Sequence, residues 1–235
     1  MRLVKYVEPS LTPSHIDGTK QGKIMSIFEA AGIQGNSKIN PHNDLGGKYM
    51  ENCQSCIIAY ELRRRGYDVE SKSLNMLGEF LSYSPEMAFI DPETSLNPVV
   101  KEYAIEMLQS ESDINDLVKS IDKQIKSGQR YVLGWNWLNK QNGHIVNIEK
   151  STRGTLILLD NQTGEIAIGA DRFWPDYFGK CEAISNVYMF RSSEMILNPA
   201  IMEVVQKSKK PVSKHEVLAL KKALSRIRTM KMNLA

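Results

Sequence analysis

The chain has 235 residues, 42% hydrophobic and 24% charged, which is enough for one sizeable core, and no apolar run approaches the length of a transmembrane span. Its net charge of +3 hides an asymmetry: residues 201–235 carry about +7 and the rest about −4. Three cysteines, two of them clustered, argue against a disulfide scaffold, and no apolar stretch after Met1 reads as a signal peptide, so synthesis in a reducing cytoplasm is expected. Export by a route without a classical signal, to a target cell or into a virion, stays open.

Residues 1–19, with Pro9, Pro13 and Gly18, read as an extended lead-in. Ile24, Ile27, Phe28 and Ala31 recur at helical spacing and predict a short amphipathic helix over 21–31. Residues 32–47 are rich in Gly, Asn and Pro and predict a loop. That loop leads to a helix from Asn52 to Gly66, with an apolar stripe at Cys53, Cys56, Ile57 and Tyr60. Asn52 is expected to cap it through its side-chain oxygen, and Gly66 to supply the left-handed residue past its end. Arg63, Arg64 and Arg65 are expected on its solvated face. Cys53 then stands at the helix N-terminus, where the positive end of the macrodipole favours a thiolate, and Cys56 lies one turn in.

Residues 67–71 alternate as a short strand, and 72–98 are mixed, with Leu77, Phe80, Leu81, Met87 and Phe89 as core candidates. Helices are predicted over 99–108 and 114–126, the second on a stripe of Ile114, Leu117, Val118, Ile121 and Ile125. The period then changes from 3.6 to 2. Strands are predicted over 130–137, 143–149, 155–160 and 186–191. After Pro199 the pattern is helical again, and Val217, Leu218, Leu220, Leu224, Ile227 and Met230 make a basic amphipathic helix. That helix would dock its stripe or meet an anionic surface. Helices followed by antiparallel strands argue an α+β domain. The expected division is a lead-in with a short helix over 1–35, a central domain over 36–198 and a basic helical tail over 199–235.

Four histidines are present, and His144 alone opens a predicted strand, beside the aromatic strand that holds Trp135 and Trp137. A three-residue turn at Thr152, Arg153 and Gly154 would pair Ser151 with Thr155. Asp160 then falls opposite Val146 and His144 opposite Gln162. His144 and Asp160 become diagonal neighbours on one face, roughly 7–8 Å apart at the backbone. A loop one residue different would separate them. A histidine oriented by a carboxylate, together with a cysteine at a helix N-terminus, makes the parts of a thiol hydrolase. A Cys-x-x-Cys pair also fits a redox site or half a zinc site; the first expects a βαβ context and the second two more ligands.

These residues resemble the papain-fold toxin family whose characterised members are glutamine deamidases. The resemblance rests on three blocks: Asn52 through Glu70, Gly143 to Glu149, and Asp160 to Gly164, where Asn161 stands at the family's usual proline. Similar segments occur in polymorphic toxins and at the C-termini of phage head-morphogenesis proteins. The resemblance covers about residues 40–195. It implies a papain-like fold, a catalytic helix packed on an antiparallel sheet, with extra C-terminal helices. It also implies a Cys-His-Asp triad of Cys53, His144 and Asp160 acting on a carboxamide without metal or cofactor. Cys56 is the alternative nucleophile, and Gln162 or Asn52 would support the oxyanion. The expected substrate is a protein glutamine, with an immunity protein or a virion component as partner. Rival readings are a protease or acyltransferase built on the same triad, and a head-associated binding module.

Overall fold

The computed structural model describes residues 21–32, 39–103 and 107–208. The expected lead-in, the tail helix, His15 and His215 lie outside them. Helix α1 (Ile27–Ala31) starts at a capping box, where the Ser26 side chain accepts from the Glu29 N–H and Glu29 returns the bond. Helix α2 (Cys53–Arg64) ends as predicted: the N–H of Gly66, at φ 96°, donates to Arg63, and Tyr67 reaches back to Leu62. The chain continues through β1 (Val69–Ser71), α3 (Met76–Tyr83), β2 (Phe89–Ile90) and β3 (Lys101–Tyr103). Then come α4 (Glu111–Gln124), β4 (Arg130–Trp137), β5 (Gly143–Lys150), β6 (Leu156–Asp160), β7 (Glu165–Ile168), α5 (Phe173–Asp176), β8 (Ile184–Arg191), β9 (Ile196–Leu197) and β10 (Val205–Lys207).

The fold is mixed α+β with antiparallel sheets. Its main sheet has the order β3-β8-β4-β5-β6-β7, flanked by the small pairs β1-β10 and β2-β9. The four predicted strands are all present as β4, β5, β6 and β8. One face of the main sheet meets α2, where Ile57, Ile58 and Leu62 pack with Val132, Ile145, Ile157 and Leu159. The other meets α4, whose Ile114, Leu117, Val118 and Ile121 pack on Leu133, Val146, Ile148 and Leu158. Each such fully buried aliphatic side chain contributes about 1.5–3 kcal/mol.

Several expectations fail. The helix predicted over 99–108 is absent where described: 101–103 form β3, and Leu108 bridges Ile184. Val99, Val100 and Tyr103 favour extended backbone, and the free edge of β8 supplies hydrogen bonds that a local helix would forgo. Phe80, expected inside, is 50% exposed, because α3 turns only Gly78 and Leu81 fully inward, and Met87, in the 3₁₀ turn that follows, is 39% exposed. Beyond Pro199 a short 3₁₀ turn gives way to β10, which pairs Val205 with Ser71. The chain therefore stays within the fold through Lys207.

Arg63, Arg64 and Arg65 do not form a solvated face. Every residue from Gln54 to Arg63 is buried, since α2 is covered by α1, α3, β1 and the sheet. Most of its charges are therefore answered internally, and Arg63 donates to the Glu29 carbonyl at 3.1 Å. Arg130 forks onto Glu61 at 3.0–3.1 Å, Ser192 donates to Glu61 at 2.7 Å, and Arg65 binds the Met195 carbonyl. Arg64 pairs with Glu149 at 2.7 Å, and that carboxylate also accepts from Tyr60 at 2.7 Å. Burial pushes the Glu61 carboxyl up, but Arg130 and Arg65 override it and hold it below its ordinary value.

Candidate active site

The N-terminal turn of α2 opens on a cleft of about 1560 Å³, lined by Cys53, Gln54, Trp135, Trp137, His144, Asp160, Gln162 and Tyr188 among others. The β5–β6 hairpin forms with the predicted turn: Ser151 donates to Thr155, Gly154 sits at φ 82°, and Asn147 faces Leu159. Asp160 lies just past that last pair. Gly143 lets β5 begin against β4, because a Cβ there would fall 2.0 Å from the Trp135 carbonyl oxygen. That approach sets His144 opposite Trp135.

His144 Nε2 lies 2.9 Å from Asp160 Oδ2. Asp160 is held on both oxygens. Tyr177 O–H donates to Oδ2 at 2.9 Å, and the backbone N–H groups of Gln162 and Thr163 donate to Oδ1 at 3.0 and 3.2 Å. The carboxylate thus closes the turn after β6 and orients the imidazole at the same time. Trp137 stacks on the His144 ring at 6.2 Å and 14°, and Trp135 meets its edge at 5.5 Å. Trp135 is buried in the core and Trp137 packs against it, and both line the cleft.

The charges of the pair reinforce each other. Burial alone would lower the His144 pKa, but the Asp160 charge and hydrogen bond, and then the neighbouring Cys53, carry it up to about 10. Burial would raise Asp160, yet His144, Tyr177 and the backbone donors hold it below the ordinary carboxylate value. With Nε2 committed to Asp160, Nδ1 is the ring nitrogen left for the thiol. Cys53 is half-buried, and its Sγ also lies 3.4 Å from Gln54 Oε1.

Beneath the cleft sits a buried amide cluster. Asn52 occupies the N-cap position of α2 but makes no side-chain cap bond, against expectation. Its Nδ2 donates instead to Ser71 Oγ, to the Lys72 carbonyl at 2.8 Å and to Asn40 Oδ1, and its Oδ1 accepts from Gln162 Nε2 at 3.3 Å. Asn40 in turn binds the carbonyls of Tyr49 and Gln162. Capping loses because the loop and β1 offer more partners than the first turn. With its N–H groups engaged there, Asn52 braces the site and supplies no donor to the cleft. Cys56 is buried under the same cluster, its Sγ 3.5 Å from both Asn52 Oδ1 and Ser71 Oγ, and burial pushes its thiol pKa well up.

The fold thus brings Cys53, His144, Asp160 and Gln162 to one cleft and places Asn52 and Cys56 behind it. Tyr177, Asn40 and Tyr188 were not foreseen. Asn40 reaches the site from the segment read as a loop and Tyr177 from one given no element, so only the tertiary fold reveals them. Tyr188 lay in a predicted strand, but strand alternation alone does not say which face meets the cleft. Among the described residues, no three His, Cys, Asp or Glu side chains are grouped to hold a metal ion. No family model matches the chain, and no curated protein matches it.

Proposed function

We propose that the chain is a cysteine hydrolase of papain-like architecture that deamidates glutamine side chains of a protein substrate. One observation carries the reading: a half-buried thiol at a helix N-terminus shares one open cleft with an imidazole that a buried carboxylate holds at 2.9 Å. In the proposed reaction the Cys53 proton already resides on His144, as a thiolate–imidazolium pair, and Sγ attacks the carboxamide carbon. The protonated ring then gives that proton to the leaving nitrogen, and ammonia departs as the thioester forms. Water, deprotonated by His144, hydrolyses the thioester to glutamate. Asp160 keeps the ring in its working tautomer throughout. The free N–H groups of the first turn of α2 stabilise the oxyanion.

The resemblance to the papain-fold toxins supplies the deamidase choice over peptide cleavage or amine transfer. The test is mass spectrometry of lysate proteins exposed to the purified chain. A gain of about one dalton at specific glutamines, lost in Cys53→Ala, is the expected outcome. Parallel assays of free ammonia, peptide cleavage and amine incorporation separate the three reactions. Delivery to a target cell, an immunity partner and an anionic surface for the basic tail remain parts of this proposal. Among the described residues, no helix is long and apolar enough to cross a membrane.

A further inference from the structure

Tyr188 stands on β8 directly opposite Gly134 of β4. Its ring folds flat across that strand: a Cβ at Gly134 would lie 2.2 Å from the Tyr188 Cζ, 2.4 Å from its hydroxyl oxygen and 2.7 Å from Cε1. Any side chain at 134 would push the phenol away, so the missing Cβ is what lets it lie there. Val132 and Ile145, which pack toward α2, share that face of the sheet, and Tyr188 packs against the same cluster as Cys53. Both side chains line the cleft. Burial, and next the charge of Cys53, push the Tyr188 pKa well above the ordinary phenol value. The hydroxyl therefore keeps its proton over the working pH range.

We propose that the Tyr188 phenol is a catalytic hydrogen-bond donor that binds the oxygen of the carbonyl attacked by Cys53. The inference rests on the hydrolase reading and extends its oxyanion site to a group on the sheet. As Sγ bonds to the carbonyl carbon, the π pair moves onto oxygen, and the Tyr188 O–H strengthens its hydrogen bond to that anion. When the pair returns, the carbon–leaving-group bond breaks and His144 protonates the departing nitrogen. Tyr188 keeps its own proton throughout. A fixed neutral donor of this kind contributes because it stabilises charge that exists only in the transition state.

Two reactions of one sulfur isolate the role. Alkylation by iodoacetamide is a displacement that forms no oxyanion, whereas acylation by p-nitrophenyl acetate passes through one. Both are followed at Cys53, by mass spectrometry and by nitrophenolate release, in the wild type and in Tyr188→Phe. The expected result is acylation slowed on the order of 10²-fold, with alkylation within about twofold and an unchanged melting temperature. Gly134→Ala, which displaces the ring but keeps the hydroxyl, should slow acylation too, and adding it to Tyr188→Phe should cost little more. Unchanged acylation in Tyr188→Phe, or equal losses in both reactions, overturns the proposal. A wild-type Cys53 that alkylates but never acylates overturns the hydrolase reading together with it. A variant that acylates slowly while the wild type proves to be a protease rather than a deamidase leaves this inference standing and removes only the substrate choice.

Discussion

The two ends of α2 are both buried and both polar, but they handle charge in opposite ways. At the C-terminal end, Arg64 and Arg65 meet the negative pole of the helix and are answered by Glu149 and Glu61, which also bind Tyr60 and Arg130, while Arg63 donates to the Glu29 carbonyl. At the N-terminal end no acidic side chain occupies the first turn. The positive pole faces neutral amides and one half-buried thiol. Charge saturated by fixed partners can only stabilise. A pole left unanswered beside a thiol can favour an anion that appears during reaction. Position on the helix, more than residue type, separates scaffold from chemistry here.

Variants can break this contrast in descending order of effect. Cys53→Ala is expected to abolish turnover, by about 10⁴-fold or more, while the urea midpoint moves little. Stability lost along with activity would mean that the two ends are not separable. Glu61→Ala attacks the other end: it strands Arg130 and Arg65 and should cost about 3–5 kcal/mol in urea unfolding, with kcat per folded molecule retained.

Asp160→Asn tests the N-terminal end through pH. The His144 pKa is raised from 6.5 to about 10 in the fold, so the ion pair's stability is full below 6.5 and is lost as pH rises through about 10. The Asp160 pKa is lowered, so its contribution is present above the unfolded value and is lost as pH falls through the folded one. The alkaline limb of the rate profile should therefore fall near pH 10 in the wild type. In Asp160→Asn it should move toward neutrality, with kcat reduced on the order of 10³-fold. An unmoved limb would detach the carboxylate from the imidazole. Cys56→Ala should have the smallest effect, near-normal turnover at a stability cost of about 1–2 kcal/mol. If turnover vanished there instead, the nucleophile would be misassigned.

Much of the reactive end was legible because its geometry is local. Gly154 fixes the turn, the turn fixes the register, and the register puts His144 beside Asp160. The α4 stripe and the Gly66 stop were legible for the same reason. What escaped depends on neighbours distant in sequence. Nothing within residues 99–103 reveals the open edge of β8, and nothing in Arg63 to Arg65 reveals the carboxylate of Glu149 or the Met195 carbonyl. Asn52 carried a sound capping signal, overruled by Asn40, Ser71 and Lys72 across the fold. The strand signals of Val205 and Gln206 were too short to weigh against a helical pattern.

That last strand has a temporal consequence. The floor of the cleft hangs from β1, since Ser71 and Lys72 hold Asn52, and Asn52 holds Gln162. β1 is itself completed by β10, with the Lys72 N–H donating to the Val204 carbonyl. A ribosome therefore extrudes the nucleophile, the histidine and the carboxylate well before the segment that braces them. Domains gain their final order once their last partners emerge. The producing cell meets a braced site only when translation has run through β10.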